Sequence, residues 1–569
     1  MIFTPRPRVA TGPIPRTLVV TLHVLFLCFS ASLACSQPAD ADLAKAMAQH
    51  LICYPVKQIS MEYPEITINQ EDLCLAMVYQ GTGSEPLWVT SNGPTAKAEI
   101  VLDYLKNSYR HGLDPNEYQV NKLLELWGSD DAEKLAELDT TLTYSVVKYV
   151  HDVSYGQSKP READPELFAE AGKNDINPLL TVKQILEAEN LQQFFEGLPP
   201  QHPDYIKLMA ALERYRKLAA EGGWPQLDEG PSIRPGDKDQ RIATVRQSLS
   251  ITEDMPGDPQ VADPELYDTA LEEAVLRFQR RHGLAADGVI GKQTRAAMNV
   301  TAEERVNTIR VNMARWRWQD HDLGTKHILV NIAGFNLKAY NGDATAPVLD
   351  IPVIVGEEQH QTPVFSDSIA YLDINPFWNI TPSIAENEEL PALRKNVDYL
   401  AKRHVRLFSS WQADAVELNP YTIDWQTVTK SRMRGFKLRQ DPGPWNALGK
   451  IKFVFPNKYA VYMHDTPAPN LFKQAQRDFS HGCIRVSDPL ALAIFVLDSQ
   501  DGGWAKEKVM ELYNQDNRKV IQLSQPVPVH ITYLTSWVDK DGAINFNRDI
   551  YGRDEKLFNA LYRQLIVAN

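Results

Sequence analysis

The sequence of 569 residues contains only five cysteines, and just one of them, Cys483, lies after residue 74. A chain this poor in cysteine depends on buried apolar cores rather than on a disulfide framework, and its length permits several such cores. Cys53 and Cys74 are able to pair in an oxidising compartment, but two thiols alone do not establish a disulfide. The net charge of −14 and the lack of a basic stripe interleaved with aromatic residues argue against nucleic acid as a partner.

Long apolar runs are also scarce, and the clearest one, residues 18–29, follows three arginines near the N-terminus. A basic leader, a short apolar core and small residues before a cleavage position are typical of a secretory signal. Cleavage fits after Ala34, although Cys35 also invites a lipoprotein interpretation and the stretch 17–34 approaches membrane-spanning length. Residues 1–34 are therefore predicted as a signal peptide or membrane anchor, with export to the periplasm in either case.

Cys483 is the first candidate for chemistry because two histidines, His464 and His481, lie close to it in sequence. A lone thiol with histidines nearby is a candidate activated nucleophile. An unperturbed thiol has a pKa of about 8.5, so little of it is thiolate near neutral pH. A histidine that removes this proton and later returns it to a leaving group accelerates a reaction about 10²–10⁴-fold. We therefore predict Cys483 as the nucleophile and His464 as the proton donor and acceptor.

The residues around the thiol are expected to support it. The Gly482-Cys483 backbone lets amide N–H groups approach a developing oxyanion. Ser480 and Arg485 are predicted to support the loop, and Arg485 also has the charge to meet a substrate carboxylate. Two interpretations stay open for His481, which either moves protons or shapes the loop through hydrogen bonds.

Local patterns predict how this segment is positioned. Residues 451–455 alternate as a half-buried strand, residues 456–458 form a turn, and residues 459–463 return as a second strand that His464 closes. Asp488 and Pro489 indicate the N-cap and the first turn of a helix. Cys483 is thus expected in a loop between a hairpin and a helix, exposed yet firmly held.

Two less specific interpretations compete with a nucleophile. An isolated cysteine is commonly a small apolar side chain in a core. His464, His481 and Cys483 also have the chemistry of zinc ligands, but two of them are separated by one residue and no second cysteine or HExxH pair is present, which fits a zinc site poorly. The sequence therefore predicts neither a metal nor an organic cofactor.

His464, the segment Ser480-His481-Gly482-Cys483 and Arg485 together resemble the catalytic signature of bacterial L,D-transpeptidases, the YkuD-type domain. Other segments agree with the same family: Val355-Gly356, Thr362-Pro363, Asn375-Pro376-Phe377-Trp378 and Pro442-Gly443-Pro444-Trp445. The whole pattern is similar to the large periplasmic branch, in which a scaffold and a peptidoglycan-binding module precede the catalytic domain. One departure is the segment from Gly356 to Gln361, where the family pattern leads us to expect one or two basic residues before Thr362.

The resemblance implies a multidomain α+β protein with a helical N-terminal scaffold, a small three-helix peptidoglycan-binding module, and a mainly-β catalytic domain with a helical lid insertion. Breaker residues and helical or strand periodicity divide the chain accordingly. The expected units are a scaffold at 35–221, a linker at 222–238, the module at 239–300, a connecting helix at 301–324, the catalytic domain at 325–510 and closing strands at 511–569. The insertion at 386–444 is either a lid over the substrate or a packing subdomain with buried aromatic residues.

The resemblance also implies peptidoglycan L,D-transpeptidation as the activity. Cys483 would attack a tetrapeptide donor stem, and a diaminopimelate amine of an acceptor stem would resolve the thioester to give a 3–3 cross-link, a reaction of cell wall biogenesis and cell shape. The carbonyl of Asp465 is expected to orient the ring of His464. Implied partners are stem peptides, carbapenem inhibitors and other cell-wall synthases. An L,D-carboxypeptidase or D-amino-acid exchange enzyme and a non-catalytic wall-binding scaffold remain as alternatives.

Overall fold

The computed structural model describes residues 38–50, 75–82, 85–158, 160–164, 176–255, 262–342, 346–498 and 500–562. The predicted signal or anchor and the cysteines at positions 35, 53 and 74 lie outside these residues. Within the described ranges, no helix has both the length and the apolar character needed to span a bilayer. The described chain has the multidomain α+β organisation that the sequence predicts.

The N-terminal part is helical and packs around one long helix, α5, whose N-cap Asp131 accepts a hydrogen bond from the backbone of Lys134. Apolar residues of α5 spaced for one helical face, such as Leu135, Leu138 and Leu142, are fully buried in this core. The helices are α1 Pro38–His50, α2 Leu75–Gly81, α3 Ala96–Lys106, α4 Val120–Leu126, α5 Ala132–Tyr155, α6 Pro160–Ala163, α7 Pro178–Glu187, α8 Leu191–Glu196 and α9 Pro203–Ala220, with a small ladder of β1 Val89–Thr90 and β2 Gly93–Pro94.

The module that follows consists of α10 Arg241–Ile251, α11 Thr269–Arg281 and α12 Lys292–Met298. The apolar face of α11, including Leu271 and Phe278, is buried in its core. The predicted linker is packed rather than free, because the indole N–H of Trp224 donates to the carbonyl of Met298 at 2.9 Å. The breaker residues before α10 therefore shape a segment that is fastened to the module.

The module is also fastened to the catalytic domain. Arg281 forms a buried ion pair with Asp254 and donates to the carbonyl of Ile544 at 3.2 Å. The connecting helix α13, Ala302–Arg317, begins with a capping box of Thr301 and Glu304 and packs against α9. Scaffold, module and catalytic domain are thus joined by buried contacts.

A nine-stranded sheet forms the framework of the catalytic domain within the described residues. The strand order is β13-β5-β14-β12-β11-β6-β15-β3-β4, and β4 also pairs with β5, which closes the sheet on itself. The strands of this sheet are β3 Lys326–Asn331, β4 Asn336–Asn341, β5 Leu349–Gly356, β6 Phe365–Ile374, β11 Ile451–Val454, β12 Met463–His464, β13 Asp478–Ser480, β14 Ile484–Val486 and β15 Lys519–Thr532. Apolar side chains from alternate strand positions fill the interior, and α18, Pro489–Leu497, packs against it.

The insertion differs from the helical lid expected at 386–444, because it begins earlier, at Trp378, and contains strands. It contains a four-stranded sheet in the order β7-β10-β8-β9, built from β7 Trp378–Ile380, β8 Val405–Phe408, β9 Glu417–Leu418 and β10 Lys437–Gln440. Short helices complete it: α14 Pro382–Ile384, a π-helical turn at Ala385–Glu389, α15 Leu390–Lys395, α16 Asp398–Lys402 and α17 Lys430–Gly435. Strands of two to four residues carry too little alternation to stand out in the sequence.

Two further strand predictions are wrong in part. The strand expected at residues 459–463 is confined to Met463 and His464, because Ala460 adopts a left-handed conformation with φ of 56° that interrupts an extended chain. The closing segment contains helices as well as strands: α19 Lys506–Asn514 precedes β15, and α20 Arg553–Tyr562 follows a hairpin of β16 Ser536–Val538 and β17 Ile544–Phe546.

Candidate active site

Cys483 lies in the turn that joins β13 to β14, one residue before β14 begins. It is free and half-exposed, which agrees with a thiol that a substrate can reach. As predicted, Asp488 caps the following helix, accepting from the backbone N–H of Ala491 at 2.9 Å. The strand on one side and the capped helix on the other fix the main chain around the thiol.

Strand pairing brings the segment that ends at His464 next to the segment that follows Cys483. β12 and β14 are parallel, with Met463 opposite Ile484 and His464 opposite Arg485. The imidazole is buried, with 5% exposure, and its Nδ1 lies 2.6 Å from the carbonyl oxygen of Asp465. The structure therefore places this carbonyl where the sequence predicts it, and it leaves Nε2 as the free nitrogen of a neutral ring.

The surroundings hold both groups in their neutral forms. Burial, reinforced by the nearby charge of Arg485, lowers the pKa of the His464 imidazole from 6.5 to about 3. Burial likewise raises the pKa of the Cys483 thiol, although the backbone N–H of Tyr462 and the charge of Lys452 oppose that effect. The pair is thus a thiol beside an imidazole base rather than a preformed thiolate and imidazolium.

Ser480 and Gly482 hold the turn in shape. The hydroxyl of Ser480 donates to the carbonyl of Cys483 at 2.5 Å and accepts from the N–H of Gly482 at 3.1 Å. Gly482 has a φ of 102°, a conformation that favours glycine. Because its N–H already binds Ser480, the structure connects Gly482 with loop shape more directly than with an oxyanion.

A second chain of hydrogen bonds supports the same turn from below. Thr362 is fully buried, and its hydroxyl donates to the carbonyl of Gly482 and accepts from the N–H of Gly356, both at 2.9 Å. Tyr551 donates to the carbonyl of Gly356 at 2.6 Å. Sequence analysis associates Thr362 with the site only as part of a matching segment; its supporting role becomes visible through these contacts.

Lys452 and Tyr462 also contact the site, although neither is among the site residues that the sequence predicts. The hydroxyl of Tyr462 donates to the sulfur of Cys483, and Lys452 Nζ lies 3.7 Å from the centre of the Tyr462 ring. Lys452 pairs directly with His464 across β11 and β12. The alternation of residues along β11 could have indicated this position. Lys452 stands between the buried Ile451 and Phe453, so its side chain points to the opposite face of the sheet, which is also the face of its cross-strand partner His464.

His481 is not brought to the thiol. Its Nε2 lies 2.8 Å from a carboxylate oxygen of Glu388 in the insertion, and its ring lies 4.8 Å, centre to centre, from that of His360. Arg485, in contrast, is half-buried within the electrostatic reach of both Cys483 and His464. These positions favour the loop-shaping interpretation of His481.

The insertion lies against the active-site face at two points. One is the contact between Glu388 and His481 described above. The other is the indole N–H of Trp378, which donates to the phenol oxygen of Tyr462.

A separate cleft of about 630 Å³ lies between the module and the catalytic domain and is lined by residues such as His282, Gln293 and Gln474. It does not include the thiol.

Family comparisons divide the chain into three matched regions. Residues 74–212 match a "Scaffold domain", residues 240–298 a "Putative peptidoglycan binding domain", and residues 325–521 an "L,D-transpeptidase catalytic domain". All the site residues described above except Tyr551 lie in the third region.

Individual relatives share parts of the chain. A "Putative L,D-transpeptidase" of Haemophilus influenzae is 29% identical over 231 residues, which are 40% of this chain and 45% of that protein. An "N-acetylmuramoyl-L-alanine amidase CwlM" of Mycobacterium tuberculosis is 32% identical over 81 residues, 13% of this chain and 20% of that protein. The chain thus spans less than half the length of these curated relatives.

Among solved structures, the L,D-transpeptidase of Xylanimonas cellulosilytica (residues 123–326) is similar at 16% identity, covering 53% of this chain and 98% of that one. Its TM-score is 0.18. At that value the superposition adds nothing to the assignment made by the family comparison.

Proposed function

Because residues 325–521 form a catalytic domain of the L,D-transpeptidase family, we propose that this protein is a cysteine-dependent transpeptidase that joins peptidoglycan stem peptides by 3–3 cross-links. The observation that supports the proposal is that β12, which ends at the buried, neutral His464, pairs with β14, which begins one residue after the half-exposed Cys483. A neutral base next to a thiol is the arrangement that nucleophilic catalysis requires.

The first half of the reaction forms an acyl-enzyme. Nε2 of His464 takes the thiol proton as the sulfur of Cys483 attacks the carbonyl carbon of the third residue of a tetrapeptide stem. The tetrahedral intermediate collapses when the bond to the terminal D-alanine breaks, and His464 returns the proton to the leaving amine. A thioester remains on Cys483. Arg485 is suitably placed to attract the carboxylate of the donor stem.

The second half transfers the acyl group. The side-chain amine of a diaminopimelate residue on a neighbouring stem attacks the thioester, His464 accepts a proton from this amine, and the thiol is released. The Tyr462 hydroxyl and the Lys452 charge stabilise the leaving thiolate, since both favour the charged sulfur. The described residues supply every proton movement that the two half-reactions need.

The wider organisation supports a substrate in the cell wall. A peptidoglycan-binding-like module and a scaffold precede the catalytic domain, and we assign the protein to the periplasm through the predicted export signal at 1–34. Stem peptides are its proposed partners, and other cell-wall synthases would act on the same material. We assign the insertion, expected at 386–444 and preceded by β7, as a cover over the substrate, because Glu388 of the insertion and Trp378 of β7 contact residues next to the thiol.

The test is intact-mass measurement after exposure to a carbapenem, which would acylate the same sulfur as a stem peptide. We expect one covalent adduct on the wild-type chain and none on Cys483→Ala. An unmodified wild-type protein under conditions where it remains folded would overturn the proposal. A non-catalytic wall-binding scaffold would bind sacculi normally while its thiol stayed unreactive.

Product analysis distinguishes transpeptidation from its closest alternative. With tetrapeptide muropeptides as the sole substrate, a transpeptidase gives 3–3 linked dimers. An L,D-carboxypeptidase gives tripeptides, and an exchange enzyme incorporates added D-amino acids. Dominance of tripeptide over dimer at high acceptor concentration would replace cross-linking with hydrolysis as the main activity.

A further inference from the structure

Two loops leave one edge of the catalytic sheet side by side. β5 and β13 run parallel, Gly356 is opposite Ser480, and the N–H of Glu357 donates to the carbonyl of Ser480 at 2.9 Å. The first loop turns tightly on Gly356, since a side chain there would lie 2.0 Å from the carbonyl of His360. Because both strands end at this edge, the loops bring the rings of His360 and His481 to 4.8 Å, centre to centre, with a tilt of 40° between them.

Potential metal ligands converge in these loops. Within the described part of the chain, Glu357, His360 and His481 form a cluster in which one donor atom from each lies within 4.8 Å of the others. Nδ1 of His360 lies 2.7 Å from a carboxylate oxygen of Glu357. This is the segment in which the family resemblance leads us to expect one or two basic residues before Thr362.

A fourth donor comes from the insertion. Glu388, in the π-helical turn, places a carboxylate oxygen 2.8 Å from Nε2 of His481. The cluster therefore consists of two histidine–glutamate pairs that lie against each other through their imidazole rings. All four side chains are between about two-fifths and one-half exposed, so an ion can enter from solvent and the side chains can adjust.

The donor set is that of a divalent transition metal. Zinc takes imidazole nitrogen and carboxylate oxygen at about 2.0–2.2 Å in tetrahedral geometry, which places neighbouring ligand atoms roughly 3.3 Å apart. Rotation about exposed side-chain bonds is sufficient to bring donors 4.8 Å apart to that spacing. Two carboxylates balance the charge of the ion, whereas a hard ion such as Mg²⁺ prefers oxygen and water ligands over imidazole.

We propose that Glu357, His360 and His481 bind one divalent transition metal ion such as Zn²⁺, with Glu388 as the fourth ligand. The ion would join the insertion to the loop that carries Cys483, two residues beyond His481. The site is separate from the catalytic pair of Cys483 and His464, and it holds an ion that does not take part in acyl transfer. Its occupancy would restrain the insertion on the active-site face.

The test measures Zn²⁺ binding by calorimetry on the full chain carrying Cys483→Ser, so that the thiol is removed as a competing ligand. We expect one equivalent to bind, no comparable binding of Mg²⁺, and a higher thermal midpoint in the presence of Zn²⁺. His360→Asn and Glu357→Gln should each weaken Zn²⁺ binding at least about tenfold. Both side chains are exposed, and circular dichroism of the variants verifies folding.

His50→Asn provides a matched control, because His50 forms a similar surface pair with Glu133, at 3.3 Å, far from the catalytic domain in sequence. This variant should bind Zn²⁺ as tightly as its parent. Absence of saturable Zn²⁺ binding by the parent, or unchanged affinity in His360→Asn, would overturn the site. If Glu388→Gln bound Zn²⁺ with unchanged affinity, Glu388 would not be a ligand, and its contact with His481 would be an ordinary ion pair.

Discussion

The Nδ1 atom of His464 lies 2.6 Å from the backbone carbonyl oxygen of Asp465. A carbonyl only accepts, so this contact places the ring proton on Nδ1 and leaves Nε2 as the base. The carboxylate of Asp465 in turn accepts from the N–H groups of Lys450 at 2.8 Å and Thr466 at 2.7 Å. The group that orients His464 is thus the backbone carbonyl of Asp465, and the carboxylate of the same residue holds that stretch of backbone in place.

Replacement of His464 tests the base directly. His464→Gln should lower kcat about 10²–10⁴-fold with little change in KM, because proton transfer is lost while substrate contacts remain. His481→Gln should lower kcat less than about tenfold, since His481 contacts Glu388 and His360 rather than the thiol. Steady-state kinetics with a muropeptide donor and acceptor provides the measurement. Equal losses in the two variants would contradict the assignment of roles.

Lys452 should control the reactivity of the resting thiol. Its charge favours the thiolate of Cys483 against the effect of burial, so Lys452→Met should raise the thiol pKa further. Alkylation by iodoacetamide, followed across alkaline pH, should then require a higher pH in this variant than in the wild type. Lys458→Met removes a lysine from the preceding turn and should leave the profile unchanged. A shift of the alkylation profile to lower pH in Lys452→Met would contradict the inference that the Lys452 charge lowers the pKa of the Cys483 thiol.

Thr362 offers a matched pair of substitutions beneath the active-site turn. Thr362→Val keeps the shape but leaves the N–H of Gly356 and the carbonyl of Gly482 without their hydroxyl partner. We expect it to lower the free energy of unfolding by about 1–3 kcal/mol and to reduce kcat, whereas Thr362→Ser should retain both hydrogen bonds and most of the activity. Denaturant unfolding and kinetics measure the two effects. A valine variant with serine-like behaviour would show that the hydroxyl is dispensable.

The cover assigned to the insertion should respond to substrate. Limited trypsin digestion cleaves after exposed basic residues of the insertion such as Lys395 and Lys430, and a bound stem peptide should slow those cuts if the insertion closes on it. The Cys483→Ala variant keeps the peptide intact during the experiment. Cuts in α9, such as after Lys217, serve as the internal reference. An identical pattern with and without peptide would favour a packing subdomain.

Buried histidines should make the protein sensitive to acid. Burial lowers the pKa of six of them, to about 3 for His111 and His464, to about 4 for His202, and below the usual value for His282, His327 and His530. Between about pH 3 and 6.5 the unfolded chain therefore binds more protons, so stability falls as pH falls through this window. Buried carboxyls oppose this in part, because burial raises the pKa of Asp139 to about 6 and the pKa values of Glu389, Asp465 and Asp554 above their usual range.

Thermal unfolding between pH 7 and pH 5 measures this loss. The midpoint should fall in the wild type and fall less in His202→Gln, which removes one of the proton-binding groups. Exposed His404 provides the control, and His404→Gln should follow the wild type. A midpoint that is constant or rises on acidification would contradict the inferred direction of the pKa shifts.

Local signals in the sequence were sufficient where one short pattern determines the structure. The N-cap at Asp488 is predicted and confirmed, and the capping box at Thr301 and the buried face of α11 follow equally local patterns. The interrupted strand at Ala460 was not, because a left-handed alanine has no sequence signature and depends on its tertiary surroundings.

Contacts between distant segments account for the remaining features of the site. The turn of Cys483 depends on Thr362, about 120 positions away in the chain, and on Tyr551 near its end. Strand periodicity is sufficient to indicate that Lys452 shares a face with His464. The proximity of Lys452 to the sulfur of Cys483, however, depends on how three strands assemble. Such relationships follow from the closed sheet rather than from spacing along the chain.

The ion pair of Arg281 and its hydrogen bond to Ile544 also have a geometric consequence. A module joined only by a flexible linker would let the sulfur of Cys483 take up many different distances from a ligand bound to the module. Because the module is fixed in this way, any ligand that it binds is held at a constant distance from position 483.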